Sequence, residues 1–369
     1  MKRIRLVSIV LVIVMVISMT ACSTTASTDN ETTGDGITVT DVTGRTVEFE
    51  NMPEKVVAVG VGALRLFTYV GDVKNLVGIE AIDQKSSVGK PYVIANEEVF
   101  SQLPVIGEGG PNAAVDPEQI LSVEPNVIFM TGATDASIAD ELQSKTGIPV
   151  VALSSGSTGL FDETLYQSLE LIGQVTGNSG KSDEVIASIK AYQVDLNQRT
   201  EGIEEATKLS SYVGALGSKG PQGIESTRGQ YPPFVAVNAV NVVDETGTAG
   251  SMMIDKEQLL EWNPDRIFID YDGIAKVNED MAANLEYYDA MYAFKNGEVY
   301  NILPYILYGT NIEVAIADAY YIGKVLYPEQ FSDIEPDQIM DEVSEKLLGA
   351  AIYEQMTTDY GTFGKMALE

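Results

Sequence analysis

A fifteen-residue pattern that occurs twice limits the fold more than any other feature of this sequence. Residues 116–130 (DPEQILSVEPNVIFM) and residues 255–269 (DKEQLLEWNPDRIFI) agree at seven of fifteen positions. Each copy predicts a short helix with Asp116 or Asp255 at its N-cap, a proline that ends it, and then an apolar strand. Two such units far apart in the chain predict two α/β lobes of similar construction, each with a mainly parallel sheet.

Apolar runs that alternate with helical patterns support the same fold class. Helices are predicted between most of these runs, an order that is typical of α/β folds. The predicted strands are 55–59, 76–79, 127–130 and 150–153 in the first lobe and 211–216, 266–270 and 299–302 in the second, and late helices are predicted at 310–326 and 336–348.

The longest helical pattern lies between the two copies of the repeat. Its predicted N-cap is Ser182, its predicted end is Gly202, and Val185, Ile189 and Leu196 share one face. At about 1.5 Å per residue it spans roughly 30 Å, about the breadth of a domain. We interpret it as a rigid brace between the lobes; the alternative is one more helix that covers a sheet.

The first residues have the layout of a secretion signal that ends in a lipidation site. Basic side chains within residues 1–5 precede an apolar run at 6–19, which is shorter than the roughly 20 residues that span hydrocarbon. The run leads into Met-Thr-Ala-Cys22, and Cys22 is the only cysteine of the chain. The pattern predicts a lipid-anchored protein on a polar tether, outside the membrane. The alternative is a free cysteine after an ordinary signal peptide.

Charge and missing residue types exclude several functions. Cleavage before Cys22 leaves 20 basic against 54 acidic side chains, a net charge of −34, so nucleic acid is not an expected partner. We interpret this acidity as a means of solubility. Histidine is absent and a lipidated Cys22 offers no thiol, which excludes Ser-His-Asp and Cys-His catalysis, His or Cys zinc sites, and haem held by imidazole or thiolate. We expect neither a cofactor nor a resident metal.

Ligands of open α/β sheets bind beyond the carboxyl ends of the strands, where loops meet. The first strand leads into Gly-Val-Gly at 60–62, a weak match to a dinucleotide motif because Arg65 stands where that motif needs glycine. A loop at 223–234 offers a cation and an aromatic ring, which suits a ligand-binding wall and equally a structural loop. The tyrosines after the last strand either touch a ligand or pack. The candidate ligand-binding residues are Gly62, Arg65, Thr131, Ser155, Arg228, Tyr231, Tyr305 and Tyr308.

Residues 37–47 (ITVTDVTGRTV), 53–59 (PEKVVAV), the paired Asp-x-Glu-Gln segments and 320–328 (YYIGKVLYP) together resemble a known family. They resemble periplasmic binding proteins of the type that binds ferric siderophores, cobalamin or haem, over about residues 37–331. The resemblance implies two Rossmann-like lobes joined by one long rigid helix, with a cleft that moves little on binding. The implied organisation is a signal peptide at 1–21, a lipidated cysteine and tether at 22–36, an N-terminal lobe at 37–177, a linking helix at 178–205 and a C-terminal lobe at 206–369.

The resemblance also implies a function, that of a solute-binding subunit of an ABC importer. Such proteins dock on the permease through one glutamate per lobe, and by position these match Glu118 and Glu257. The alternative is that each glutamate only stabilises its helix, by about 0.3–1 kcal/mol. The implied cargo is a ferric siderophore or a cobamide, or alternatively an oxoanion such as molybdate or tungstate, while the absence of histidine disfavours haem.

Two hypotheses from other classes remain beside this one. The chain is not expected to be an enzyme, but a surface hydrolase could use a pair among its many carboxylates. A sensor or adhesin would instead bind another protein through its acidic outer face.

Overall fold

The computed structural model describes residues 36–156, 160–217, 220–307 and 309–367. The predicted signal segment, Cys22 and Tyr308 lie outside the described residues. Within the described residues, no helix is both long enough and apolar enough to cross a bilayer.

The N-terminal lobe contains a β-hairpin and a three-stranded parallel sheet with helices around it. Its strands are β1 (Ile37–Thr40), β2 (Thr46–Phe49), β3 (Val56–Val59), β4 (Val127–Thr131) and β5 (Val150–Leu153), and its helices are α1 (Ala63–Val70), α2 (Ala81–Lys85), α3 (Pro91–Ile94), α4 (Glu97–Phe100), α5 (Pro117–Ser122), α6 (Ala136–Thr146) and α7 (Glu163–Thr176). Strand β4 pairs in parallel with β3 and β5, and all three are buried at every position. Such burial explains their continuous apolar runs.

The strand predicted at residues 76–79 is wrong. Leu76 makes a single bridge to Val56, and Ile79 makes a single bridge to Val105. Between them, a Cβ atom on Gly78 would lie 2.4 Å from a methyl carbon of Ile106, so the backbone there approaches the neighbouring segment too closely for any side chain. The segment changes pairing partner within a few residues, and no ladder forms.

One long helix follows the N-terminal lobe, α8 (Ser179–Thr200). Its predicted start at Ser182 is wrong, whereas its end agrees with the prediction, because the last helical residue is Thr200 and the C-cap Glu201 directly precedes Gly202. Helix α7 stops at the left-handed Gly177, and Asn178 takes the N-cap position of α8, so only these two residues separate the helices. Ser182 is therefore buried inside the helix, where its hydroxyl donates to the Ser179 carbonyl at 2.9 Å. The predicted apolar face is confirmed, because Val185, Ile189 and Leu196 are all buried.

The C-terminal lobe is built on a five-stranded sheet. Its strands are β6 (Ser210–Gly214), β7 (Ser226–Gly229), β8 (Val240–Asn241), β9 (Gly250–Met253), β10 (Arg266–Asp270), β11 (Val299–Ile302) and β12 (Gly364–Lys365), and its helices are α9 (Pro232–Ala236), α10 (Lys256–Trp262), α11 (Ile274–Ala283), α12 (Leu285–Asp289), α13 (Tyr292–Lys295), α14 (Ile312–Leu326), α15 (Pro336–Leu348) and α16 (Tyr353–Asp359). The sheet order is β12–β11–β10–β6–β8, parallel except for β12, while β7 and β9 form a separate antiparallel pair. Short 3-10 helices occupy Val73–Asn75, Glu205–Thr207, Val242–Thr246 and Tyr271–Gly273.

The repeated segments form α5 with β4 and α10 with β10, one unit in each lobe, as the sequence predicts. Asp116 caps α5, because its carboxylate accepts the backbone N–H groups of Glu118 and Gln119, both at 3.1 Å. Asp255 holds the N-cap position of α10, but its exposed side chain makes no capping hydrogen bond. The two copies therefore share a fold and differ in how the helix begins.

A single apolar core runs through both lobes. It includes Phe129 from the first sheet, Ile189 from α8, Phe268 from the second sheet and Ile316 from α14. Smaller apolar clusters cover the opposite face of each sheet. The lobes share buried surface, so sliding one lobe over the other would expose apolar side chains.

Candidate functional site

The loops after β3 and β4 are held together by close backbone contact. Gly60 and Gly62 have φ values of 87° and 83°, which favour glycine. A Cβ atom on Gly60 would lie 2.6 Å from the Thr131 carbonyl oxygen, and the Thr131 hydroxyl donates to the Val61 carbonyl at 2.8 Å. The structure thus places the loop that contains the predicted residue Gly62 beside Thr131, the last residue of β4.

A hollow of about 760 Å³ lies over these loops and the loop after β5. Thr131 and Ser155 both line it, together with Val61, Gly132 and Ser154. The expectation that ligand-binding residues follow the carboxyl ends of strands, here called the strand-end rule, therefore finds side chains that share one surface of the N-terminal lobe.

Arg65 lies in the first turn of α1 and is only 2 % exposed. Its guanidinium stacks on the Tyr92 ring at 4.8 Å and donates to the Leu307 carbonyl of the other lobe at 2.9 Å. This predicted ligand residue thus forms a contact between the lobes. Its predicted contact with a ligand stays a prediction.

Buried charges surround this loop, and sequence reasoning missed them. The Glu80 carboxylate accepts the Gly60 backbone N–H at 3.1 Å, and Asp83 accepts the Tyr92 hydroxyl. Burial, reinforced by the charge of Asp83, raises the pKa of Glu80 to about 7. Burial lowers the pKa of Lys90, whose ammonium donates to backbone carbonyls. Glu80 directly follows the apolar run at 76–79, so applying the strand-end rule to that run would have found it.

Two further buried hydrogen bonds join the lobes beside Arg65. The Tyr69 hydroxyl of α1 donates to the Glu313 carboxylate of α14 at 2.7 Å, and the Asn311 amide donates to the Gly89 carbonyl at 2.9 Å. Burial raises the pKa of Glu313, while the Tyr69 hydrogen bond lowers it. The start of α14 is therefore fixed to the N-terminal lobe by polar contacts shielded from water.

Three predicted residues of the C-terminal lobe lie together. Tyr231 and Tyr305 are 0 % and 1 % exposed, and their ring centroids are 5.6 Å apart. Burial raises the pKa of both phenols, and the positive charge of Arg228 opposes this. Neither phenol has a hydrogen-bond partner among the described residues.

Arg228 differs from three other arginines of the described residues. Arg45, Arg199 and Arg266 each pair with a carboxylate, whereas the partly buried Arg228 side chain has neither an ion pair nor a hydrogen bond within the described residues. Its Nε atom is buried without an acceptor. A buried guanidinium N–H without an acceptor is costly, and an anion that bound there would remove this cost.

A pocket of about 520 Å³ lies between the lobes, beside the long helix. Its walls come from the N-terminal residues Leu160 and Phe161, from one face of α8, and from residues 230–238 of the C-terminal lobe. The described residues contain no group of three or more acidic, His or Cys side chains that could hold a metal ion.

The predicted docking residues are accessible. Glu118 lies in the first turn of α5 and Glu257 in the first turn of α10, and both are exposed. Their positions on equivalent helices of the two lobes follow directly from the repeat.

Known proteins resemble this chain over most of its length. The family model described as periplasmic binding protein matches residues 56–305. Molybdate-binding protein MolA of Haemophilus influenzae is 24% identical over 334 residues, which cover 84% of this chain and 90% of that protein. The uncharacterized ABC transporter substrate-binding lipoprotein YvrC of Bacillus subtilis is 20% identical, covering 80% of this chain and 87% of that protein.

A solved structure shows the same fold. The periplasmic solute binding protein from Veillonella parvula has a TM-score of 0.69 at 17% identity, covering 88% of this chain and 97% of that one. Two α/β lobes, a helix between them and a family match over most of the chain lead to one conclusion. The chain belongs to the periplasmic binding protein family, as a solute-binding protein of ABC transporters.

Proposed function

We propose that this solute-binding protein captures an anionic metal chelate, such as a ferric siderophore or a cobamide-like compound, between its lobes. It then delivers this cargo to the permease of an ABC importer. Cys22 anchors the protein to the outer side of the membrane through a lipid, and the signal-like segment before Cys22 supports this part of the proposal.

The observation that carries the proposal is the guanidinium of Arg228, which has no carboxylate partner within the part of the chain that the structure describes. The chain is strongly acidic, so an anion would be repelled from most of its surface. A cation without a carboxylate partner offers local attraction and directed hydrogen bonds. Tyr231 and Tyr305 lie beside it, and their hydroxyls have no hydrogen-bond partner among the described residues.

The size of the space between the lobes favours an organic chelate. The interlobe pocket of about 520 Å³ lies within the range of small-molecule sites, roughly 300–1,000 Å³. A tetrahedral oxoanion fills only a small part of such a volume.

Docking is assigned to Glu118 and Glu257. Both are exposed, both lie in the first turn of the repeated helix, and each belongs to a different lobe. A permease with one cation for each glutamate would thereby bind both lobes at once. Its affinity would depend on the distance between the two glutamates.

An oxoanion is the second candidate cargo. The relative from Haemophilus influenzae is named as a molybdate-binding protein, and it aligns with most of this chain. An oxoanion would accept hydrogen bonds from Arg228 and from the backbone N–H groups of the loops after the strands. It would leave most of the interlobe pocket unfilled.

Equilibrium dialysis of the full-length protein tests the proposal. The panel contains ferric catecholate and hydroxamate complexes, cobamides, molybdate and tungstate. We expect at least one chelate to bind with micromolar or tighter affinity, and Arg228→Ala to weaken that binding. Lys276→Ala, which removes an exposed charge from the same lobe, is the control and should bind as the wild type does.

Each result of the panel has a definite meaning. Tight binding of molybdate without binding of any chelate would replace the leading cargo with the second candidate. No binding tighter than millimolar would refute the proposed function. Unchanged affinity in Arg228→Ala would remove this residue from the site.

A further inference from the structure

None of the described residues that line the interlobe pocket is ionisable, although the chain as a whole is rich in charge. Six of its lining residues are apolar and four carry amides. The apolar residues are Leu160, Phe161, Val194, Pro232, Val235 and Ala236, and the amides are Gln193, Asn197, Gln230 and Asn238. A charged ligand would find no counter-ion on these walls, whereas a neutral ring or chain with polar atoms would find matching surfaces.

Two valines leave apolar surface open in this pocket. Val194 on α8 is 53% exposed and Val235 on α9 is 52% exposed. They come from different elements, the long helix and the C-terminal lobe, yet both line the same space. A ligand that covers both removes this surface from water, which favours its binding.

The amide side of the pocket is held in place. Gln230 and Asn238 each have a φ of 51°, a left-handed backbone that is costly for residues other than glycine. Asp244 accepts both the backbone N–H and the side-chain amide of Gln230, at 2.6 and 2.9 Å. The Asn238 amide donates to Asn197 at 3.1 Å and to Thr200 at 2.8 Å. These contacts fix the wall before any ligand arrives.

One amide remains available to a ligand. Gln193 is exposed on α8, and its side chain makes no hydrogen bond with the described residues. It lies next to Val194 in the chain, so an apolar contact and a hydrogen-bonding group stand side by side on the helix.

We propose that this pocket is a subsite for the uncharged organic part of the cargo, an aromatic or alkyl group with amide or hydroxyl substituents. The anionic part lies against Arg228. Arg228 precedes the lining residue Gln230 by two residues, so their Cα atoms are at most about 7 Å apart. This inference rests on the proposed function and narrows it, because it selects a chelate with a neutral organic periphery over a bare oxoanion.

Two glutamine substitutions test the subsite without adding charge. Val194→Gln and Val235→Gln place a polar amide in the pocket on positions that are already helical. Leu285→Gln is the matched control, since Leu285 is 57% exposed in α12 and does not line the pocket. Equal unfolding midpoints of the full-length proteins establish that all variants are folded.

The first measurement uses benzamide, a neutral probe with a ring and an amide, in saturation-transfer NMR. We expect a signal from the wild type and from Leu285→Gln, and its loss in both pocket variants. The second measurement compares the ferric complex of 2,3-dihydroxybenzamide, whose ring carries an uncharged amide, with molybdate in dialysis. We expect each pocket variant to weaken chelate binding by about tenfold or more and to leave molybdate binding unchanged.

The contrary outcomes are distinct. A benzamide signal that persists in both pocket variants, or chelate affinity that both variants retain, overturns the subsite while leaving the proposed function intact. Equal weakening of molybdate also overturns it, because molybdate has no organic part. Failure of the wild type to bind any cargo overturns the proposed function and the subsite together, and the wild-type measurement alone identifies this case.

Discussion

Substitution of Glu80 should change how the stability of the protein depends on pH. Glu80 is 5 % exposed, and its carboxylate accepts the Gly60 N–H at 3.1 Å. Burial and the nearby charge of Asp83 raise its pKa from 4.5 to about 7. The folded protein therefore holds this proton more tightly than the unfolded chain does, so the group stabilises the fold below pH 4.5. That stability is lost as pH rises through about 7.

The magnitude follows from the two pKa values. One pKa unit corresponds to about 1.4 kcal/mol, so a pKa that moves from 4.5 to about 7 corresponds to roughly 3 kcal/mol. Glu80→Gln keeps an oxygen that can accept the Gly60 N–H but cannot titrate. The unfolding free energy of the variant, relative to the wild type, should therefore rise by about 3 kcal/mol between pH 4.5 and pH 8.

Urea unfolding at pH 4.5, 6 and 8 measures this difference. Fluorescence of the single tryptophan, Trp262 in α10, reports unfolding. Glu170→Gln is the control, because Glu170 is an exposed residue within α7. A difference between Glu80→Gln and the wild type that is the same at all three pH values, or that falls as pH rises, would refute the reasoning.

Three further predictions concern other parts of the molecule. Tyr69→Phe leaves the buried Glu313 carboxyl without its hydroxyl donor, so denaturant unfolding should show a loss of about 1–3 kcal/mol; a loss below 0.5 kcal/mol would contradict the role given to this contact. Glu118→Ala combined with Glu257→Ala should abolish cargo uptake by cells and leave cargo affinity in dialysis unchanged, and weakened affinity would argue against a docking role. Cys22→Ala should abolish incorporation of labelled fatty acid into the protein, and label that persists in the variant would speak against lipid anchoring through this residue.

The candidate site could be predicted only in part. The strand-end rule found Thr131 and Ser155, which line one hollow, because the carboxyl ends of parallel strands meet at one edge. It did not reveal that Arg65 bonds to Leu307, a residue 242 positions away. Nothing local in the sequence specifies a contact that depends on how two lobes pack.

The interlobe pocket could not be predicted from the sequence either. Its walls come from the segment after β5, from α8 and from residues 230–238, and no sequence motif links these three. The unpaired state of Arg228 was equally hidden. The sequence predicts a loop at 223–234, whereas the structure places Arg228 in β7, and no local pattern specifies which carboxylates lie near it. Only the positions of all neighbouring carboxylates in space show that it has none among the described residues.

The sequence by itself determined the α/β class, the two lobes, the paired helices that carry Glu118 and Glu257, and the bounds of strands such as Arg266–Asp270 and Val299–Ile302. These features depend on local patterns: apolar runs that demand burial, prolines that end helices, and a repeat that marks two similar units. The tertiary structure decided which charges are buried, which side chains join the lobes and where a neutral pocket opens. Burial and partner choice depend on residues far apart in the chain, so the free energies that set them arise only when both lobes are packed together.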